Sequence, residues 1–403
     1  MSADRKKVLK DIIKQLHAGT SPLTVKEMFS KYLETITPQE IAEVEQELVK
    51  EGVSREELQK LCDIHLTIFR EQLGKTTTQI PLWHPINILI EEHNIMLGLL
   101  ERYKRLLEDI KKAENLAQVE GVIVQLSSIA EDFNDSEKHY LREENVLFPL
   151  LEKHGITEPP AVMWMEHDKI RKSKRELQEL VKKVGEQEFN SFKERINENF
   201  EAMNMVIPNH FYKENNILFP TALQLITEGE WVEALKEFDE IGYCRFTPRP
   251  PVAPEIYKEE KKGTLPSDIQ FETGSLSAEE VGALLNSLPI DITFVDREDK
   301  VKFFNKSEKR IFIRTKAVIG RKVQQCHPQK SIHIVNKILD SFKEGKKDVA
   351  EFWIEKEGSL IHIRYFPVKD KDGKYLGTIE VTQDVTEIKK LEGEKRLLDW
   401  EGA

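Results

Sequence analysis

An eleven-residue pattern occurs twice in this chain. His139-Tyr140-Leu141-Arg142-Glu143-Glu144-Asn145-Val146-Leu147-Phe148-Pro149 and His210-Phe211-Tyr212-Lys213-Glu214-Asn215-Asn216-Ile217-Leu218-Phe219-Pro220 agree at His, Glu, Asn, Leu, Phe and Pro. Within each copy the histidine and glutamate are four residues apart, so on a helix they share a face about 6 Å apart along the axis. A lone pair of this kind is commonly a surface contact, whereas two matching copies point to a shared purpose. A Glu-His dipeptide precedes each copy, Glu92-His93 before the first and Glu166-His167 before the second. Two such hairpins about an approximate twofold axis would bring four histidines and two glutamates together. That donor set suits iron, with imidazoles in terminal positions and carboxylates bridging two ions about 3.5–4 Å apart.

The surrounding sequence supplies the scaffold. Apolar periodicity predicts helices near 85–113, 119–153, 160–184 and 190–227, with Gly121, the Gly155–Pro160 stretch and Gly185 as breaks. Loops this short make neighbouring helices antiparallel, which predicts an up-and-down four-helix bundle over 83–227. Residues 1–76 read as a small module of short amphipathic helices, with a capping box at Ser54-Arg55-Glu56-Glu57. Residues 245–273 are rich in proline and charge and are expected to be an extended linker. From 281 to 383 the pattern turns strand-like, at 292–296, 301–304, 349–354, 360–367 and 375–382, with a helix at 331–342. Asp370-Lys371-Asp372-Gly373 marks a hairpin turn before the last strand. This predicts an antiparallel five-stranded α+β domain, followed by a charged C-terminal helix over 384–403. The fold class is therefore multidomain: an all-α N-terminal part and an α+β C-terminal one.

Composition excludes several function classes. The net charge of -11 and the mixing of Lys169–Lys174 with acidic residues argue against nucleic acid as a partner. No apolar run reaches membrane-spanning length, and no signal-peptide core is present at Met1–Lys10, so a cytoplasmic protein is expected. Cys62, Cys244 and Cys326 are too scattered for a disulfide framework or a Cys-only zinc site.

On these residues, 84–220 resembles a hemerythrin-like, HHE cation-binding domain. The resemblance implies that His93, His139, Glu143, His167, His210 and Glu214 occupy ligand positions of a centre of two iron ions, with the glutamates bridging; manganese and zinc remain alternatives. Oxygen-carrying members have a further histidine four residues after one ligand, where this chain has Glu143 after His139 and Arg171 after His167. Reversible oxygen carriage is therefore not expected. Residues 281–383 resemble a PAS domain through Leu288-Pro289-Ile290, Asp296, Phe304-Asn305, Gly320-Arg321 and Gln383-Asp384-Val385-Thr386-Glu387. The whole arrangement resembles a family in which a helical region known as DUF438 precedes a hemerythrin-like and a PAS domain.

Further candidates carry two readings each. His84 precedes Pro85 and either starts the helix or reaches in as an additional ligand. His65, three residues after Cys62, is either a ligand or a packed core residue. Tyr140 and Tyr212 are candidates to hydrogen-bond a bound oxygen species. By its resemblance the PAS domain adds His333, and after it His327, as axial ligands of a heme; the alternative for both is an ordinary helix start. The expected function is a di-iron sensor of oxygen, nitric oxide, peroxide or redox state, dimerising through the C-terminal helix and acting on a downstream signalling protein. The alternatives are a di-iron enzyme for detoxification or iron-sulfur repair, and a metal-stabilised scaffold.

Overall fold

The computed structural model describes residues 38–54, 80–248 and 269–395, with isolated positions before residue 25, and divides into two compact units.

In the first unit, helix α1 (Pro38–Lys50) is followed, after a gap in the described residues, by α2 (Pro85–Lys112), α3 (Glu120–Asp135), α4 (Glu137–Arg142), α5 (Phe148–Lys153), α6 (Glu158–Lys182), α7 (Phe189–Lys213), α8 (Phe219–Leu225) and α9 (Glu228–Ile241). α3, α4 and α5 form one long rod, as do α7 and α8, so the rods with α2 and α6 make the four-helix bundle that the periodicity predicts. Both composite rods are interrupted by a π-turn, at Glu143–Leu147 and Glu214–Leu218. The amide of Phe148 bonds the carbonyl of Glu143, and that of Phe219 the carbonyl of Glu214, five residues back in each case. The cause is in the repeat. Pro149 and Pro220 lack an N–H and would clash with the carbonyl four residues earlier, and a π-turn widens the helix there. The repeated asparagines also act here, Asn145 Nδ2 donating to the Leu141 carbonyl at 2.8 Å and Asn216 Nδ2 to that of Tyr212 at 2.8 Å.

The bundle core has two apolar clusters. One contains Ile86, Leu89, Val146, Phe148, Met163, Leu218 and Phe219, together with Val44 and Leu48 of α1 and Trp231 and Phe238 of α9. The other contains Met96, Tyr103, Phe133, Tyr140, Ile170, Phe200, Ile207 and Phe211. On each rod a histidine of the repeated pattern lies between residues of the two clusters, as His93 lies between Leu89 and Met96 and His167 between Met163 and Ile170. Helix α9 was not expected from the sequence, although its start carries a capping box between Thr227 and Glu230.

The second unit opens on a hairpin of β1 (Ile269–Phe271) and β2 (Gly274–Leu276) and helix α10 (Ala278–Ser287). Strands β3 (Asp291–Asp296), β4 (Val301–Phe304), β5 (Ala350–Lys356), β6 (Ser359–Lys369) and β7 (Tyr375–Asp384) form one antiparallel sheet in the order β4-β3-β7-β6-β5. Helix α11 (Ile332–Lys343) lies in the long crossover between β4 and β5. Two expectations are corrected. The extended linker proposed to reach residue 273 gives way at Ile269 to a strand, whose ladder with β2 satisfies its backbone. The C-terminal helix is absent over the described part of 384–403: Asp384 ends β7, one 3₁₀ turn spans Ile388–Lys390, and Gly393 at φ +66° breaks any continuation. Leu398 and Trp400 lie outside the described residues.

Candidate metal centre

The repeated pattern brings its histidines and glutamates to one point. His93 of α2, His139 of α4, His167 of α6, His210 of α7 and the π-turn residues Glu143 and Glu214 are all fully buried. Their side chains form two groups of four, His93-His139-Glu143-Glu214 and Glu143-His167-His210-Glu214, with the ligating atoms of each group within 4.8 Å of one another. All four imidazoles present Nε2 to the centre. His93 Nε2 lies 3.1 Å from His139 Nε2 and 3.2 Å from Glu214. His210 Nε2 is 3.0 Å from Glu214, and His167 Nε2 is 3.4 Å from Glu143.

Behind each imidazole an oxygen fixes the tautomer. His139 Nδ1 meets Glu92 at 2.7 Å, His210 Nδ1 meets Glu166 at 2.8 Å, His167 Nδ1 meets Glu144 at 2.8 Å, and His93 Nδ1 meets the Asn215 side-chain oxygen at 3.0 Å. A proton held on Nδ1 leaves the Nε2 lone pair for a cation. The supporting carboxylates are each matched by a cation: Arg142 on Glu92 (2.5 Å), Lys213 on Glu166 (2.5 Å) and Arg171 on Glu144 (2.8 Å). The arrangement follows the repeat. The glutamate of each Glu-His dipeptide serves the histidine of a neighbouring rod, while the residue after each central glutamate serves the dipeptide's own histidine. Sequence reasoning assigned no role to Glu92, Glu144, Glu166 or Asn215. Aromatic faces follow the same twofold, Phe219 lying parallel to His93 with ring centroids 5.5 Å apart and Phe148 parallel to His167 at 5.6 Å.

The electrostatics call for a cation. Both carboxylate oxygens of Glu143 and Glu214, and Nε2 of His167 and His210, are buried without a hydrogen bond of acceptable geometry among the described residues. Burial and the neighbouring Glu214 carboxylate push Glu143 up to about 8. For Glu214, burial is outweighed by His210, His167 and His93, which hold it well below the usual carboxylate range. Two carboxylates this close do not both ionise unless positive charge joins them. Around the centre, burial pushes His139 down to about 3, whereas against burial the facing carboxylates raise His210 and hold His167 well above the ordinary imidazole value, so without a metal those protons supply positive charge to the paired glutamates. Against burial, the hydrogen bond from His139 and the charge of Arg142 hold Glu92 down to about 2. The orphaned atoms, fixed tautomers and mixed nitrogen and oxygen donors together fit a buried metal site.

The remaining candidates fall elsewhere. His84 caps α2, its Nδ1 accepting from the Ile86 amide at 3.1 Å, and it packs on Trp231 with centroids 4.5 Å apart. It belongs to neither ligating group, and its Nδ1 serves the helix terminus. His65 and Cys62 lie outside the described residues. Tyr140 is buried with its ring 4.7 Å from that of His167 and 5.1 Å from that of His139. Tyr212 instead packs on the apolar cluster containing Trp231. In the second unit a cavity of about 240 Å³ is lined by Val295, His327, Ile334, Phe352, Tyr365 and Glu380, among others. His327 reaches it with Nδ1 on the Val323 carbonyl at 2.8 Å, whereas His333 is exposed on α11. The cavity falls below the roughly 300–1,000 Å³ of pockets that enclose drug-sized ligands. Of the two histidines expected as heme ligands, His327 lines this cavity and His333 does not.

No helix among the described residues is long and apolar enough to cross a membrane. Three family models match: a family of unknown function (DUF438) at residues 9–75, the hemerythrin HHE cation binding domain at 84–222, and a PAS domain at 281–386. Among solved structures, the chain is similar to the C-terminal domain of a Streptococcus mutans protein, with 32% identity, 31% of this chain and 98% of that chain covered, and a TM-score of 0.30. It is also similar to a PAS domain from Colwellia psychrerythraea (16% identity, 27% and 97% covered, TM-score 0.22). A third is the PAS domain of BvgS from Bordetella pertussis (19% identity, 28% and 88% covered, TM-score 0.24). No curated protein matches the chain. From N- to C-terminus the chain thus carries a DUF438 region, a hemerythrin HHE cation-binding domain and a PAS domain.

Proposed function

We propose that the bundle holds two iron ions and that the chain is a sensor of oxygen, nitric oxide, peroxide or redox state, with the PAS domain as the receiving module. The observation that carries this reading is the sharing of Glu143 and Glu214 between two buried four-residue groups. In it, His93 and His139 would hold one ion and His167 and His210 the other, with Glu143 and Glu214 available to both. Iron bound there would supply one-electron chemistry with a small diatomic or peroxide. The protein's own part is to keep each Nε2 deprotonated through its Nδ1 partner and to exclude bulk water with Phe148, Tyr140, Phe211 and Phe219, which are buried around the histidines.

Four histidines and two carboxylates are fewer groups than an oxygen carrier provides, so the reading favours one-way oxidation over reversible carriage. A homodimer and a downstream protein partner belong to the same reading, with exposed Trp353, Ile388 and Leu391 of the C-terminal unit offering apolar surface. The test is stopped-flow spectroscopy of the anaerobic ferrous protein mixed with oxygen or nitric oxide and returned to anaerobic buffer. A lasting spectral change is expected. Spontaneous recovery of the ferrous spectrum would overturn the one-way reading, and repeated turnover with reductant would make the protein an enzyme.

A further inference from the structure

Helix α9 ends at Ile241 and is capped by Gly242 at φ +87°, and residues 243–247 then contact α2, α3 and α4 of the bundle. This strap is held at three places. The Arg245 amide donates to Asp135 at 2.5 Å and its guanidinium pairs with Asp132 at 2.5 Å and Glu131 at 3.3 Å. The buried Arg142 guanidinium lies over the Tyr243 ring at 4.9 Å and the Phe238 ring at 5.2 Å, and its Nη2 is 3.9 Å from Cys244 Sγ. Finally, the Thr247 hydroxyl donates to Glu92 Oε1 at 2.5 Å. The other oxygen of that same carboxylate accepts from His139 Nδ1 at 2.7 Å. His139, Glu92 and Thr247 are therefore one hydrogen-bonded line from the centre of the bundle to the segment by which the chain leaves it.

We infer that Thr247 is a positioning residue for the metal site, and that metal loading at His139 and docking of the strap stabilise each other. The physical link is Glu92. A cation on His139 Nε2 makes its Nδ1–H a stronger donor and fixes the imidazole and the Glu92 carboxylate in place. A fixed carboxylate offers Thr247 a preformed acceptor, and the docked hydroxyl restrains Glu92 in return. Linkage makes the effect reciprocal: whatever factor loading adds to strap docking, the docked strap adds to metal affinity. A change at the centre is thereby felt at Thr247, immediately before the chain continues toward the PAS domain. This inference rests on the proposed function only in requiring that the bundle bind metal, and not on which signal it senses.

The test uses the full chain, prepared anaerobically with and without ferrous iron, with iron content measured on the same samples. Amide hydrogen exchange over Tyr243–Thr247 is expected to slow on loading. Thr247→Val should abolish that difference and weaken binding of one of the two ions by about three- to tenfold, while Thr247→Ser, which keeps the hydroxyl, restores both. Wild-type protein that binds two ions with unchanged exchange in the strap overturns the inference and leaves the metal site standing. Unchanged iron affinity in Thr247→Val does the same. A wild-type chain that binds no iron overturns both.

Discussion

Glu143 and Glu214 occupy equivalent positions in the two copies of the repeat, each at the start of a π-turn, and their carboxylates meet within 4.8 Å at the centre of the bundle. Neither belongs to one half of the site: each is a member of both four-residue groups, whereas every histidine belongs to one. Two buried acids facing each other cost the fold free energy in the absence of a cation, and Glu143 bears this as a carboxyl group pushed up to about 8.

This asymmetry of membership predicts an asymmetry of loss. In protein reconstituted anaerobically with ferrous iron, Glu214→Ala should lower the content from about two ions per chain toward none, while His210→Ala should leave about one. Elemental analysis of the desalted proteins separates the outcomes, and equal losses in the two variants would contradict the sharing. Loading should also raise the melting temperature of the wild-type bundle, since an ion held only by the folded state stabilises it by about 4 kcal/mol at a thousandfold excess over the dissociation constant.

The Glu92–Arg142 pair supports a second prediction, independent of metal. Both side chains are fully buried, joined at 2.5 Å, and flanked by the Phe238 and Tyr243 rings. Glu92→Ala would leave the guanidinium buried without its carboxylate and should destabilise the metal-free protein by about 3–5 kcal/mol. Urea denaturation in chelator measures it. Converting Glu92 to Leu together with Arg142 to Met should recover much of the loss, because an apolar pair closer in volume to the original leaves no stranded charge.

These residues also explain what could be read from the sequence. His-x-x-x-Glu was legible because a spacing of four projects both side chains onto one helical face, and the second copy removed coincidence. Glu92 and Glu166 stood beside histidines already singled out, yet adjacent helical residues point about 100° apart, so their targets lay on other rods and no single-helix pattern could show them. The doubled Glu-His dipeptide was the available signal. At the residue after the central glutamate the copies differ, Glu144 against Asn215, so comparing them concealed a common role as acceptor for Nδ1. The strands of the second unit were legible through alternation, as in Ile361 and Ile363 facing inward on β6. Over the described residues 384–395 the expected C-terminal helix is replaced by a single 3₁₀ turn at Ile388–Lys390, although the spacing of Ile388 and Leu391 suits a helix, and Gly393 follows at positive φ.

His84 makes stability depend on pH in a defined direction. Burial pushes it from an ordinary 6.5 down to about 4, so the unfolded chain binds a proton that the folded one refuses over that interval. The neutral histidine's contribution is fully present above pH 6.5 and is lost as pH falls from 6.5 toward 4, amounting to about 2 kcal/mol between pH 7 and pH 5. His84→Asn keeps a side-chain cap on the Ile86 amide without a titrating group. Its denaturation free energy should therefore fall less than that of the wild type over the same pH step, measured in metal-free protein. Parallel falls would show that His84 is not the origin of this slope.

The last prediction concerns the sheet of the PAS domain, where the backbone of β7 closes on β3. Gly377 pairs with Asp296 across the two strands and with Val368 on the other side. A Cβ at this position would lie 2.2 Å from the Val295 carbonyl oxygen and 2.7 Å from the Phe294 ring. The ring could rotate aside, but the carbonyl belongs to the ladder and cannot move without breaking it. The requirement is thus for space and not for an unusual backbone angle, since Gly377 is absent from the positive-φ glycines. Gly377→Ala should destabilise the domain by about 1–3 kcal/mol or more, by forcing β7 away from β3. Because the bundle forms a separate compact unit, its iron content should be unchanged. Hydrogen exchange resolved by segment is the suitable measurement, with faster exchange expected in β3 and β7 and none in α2 or α7. Unaltered exchange in β3 and β7 would mean that the strands accommodate a methyl group the ladder has no room for.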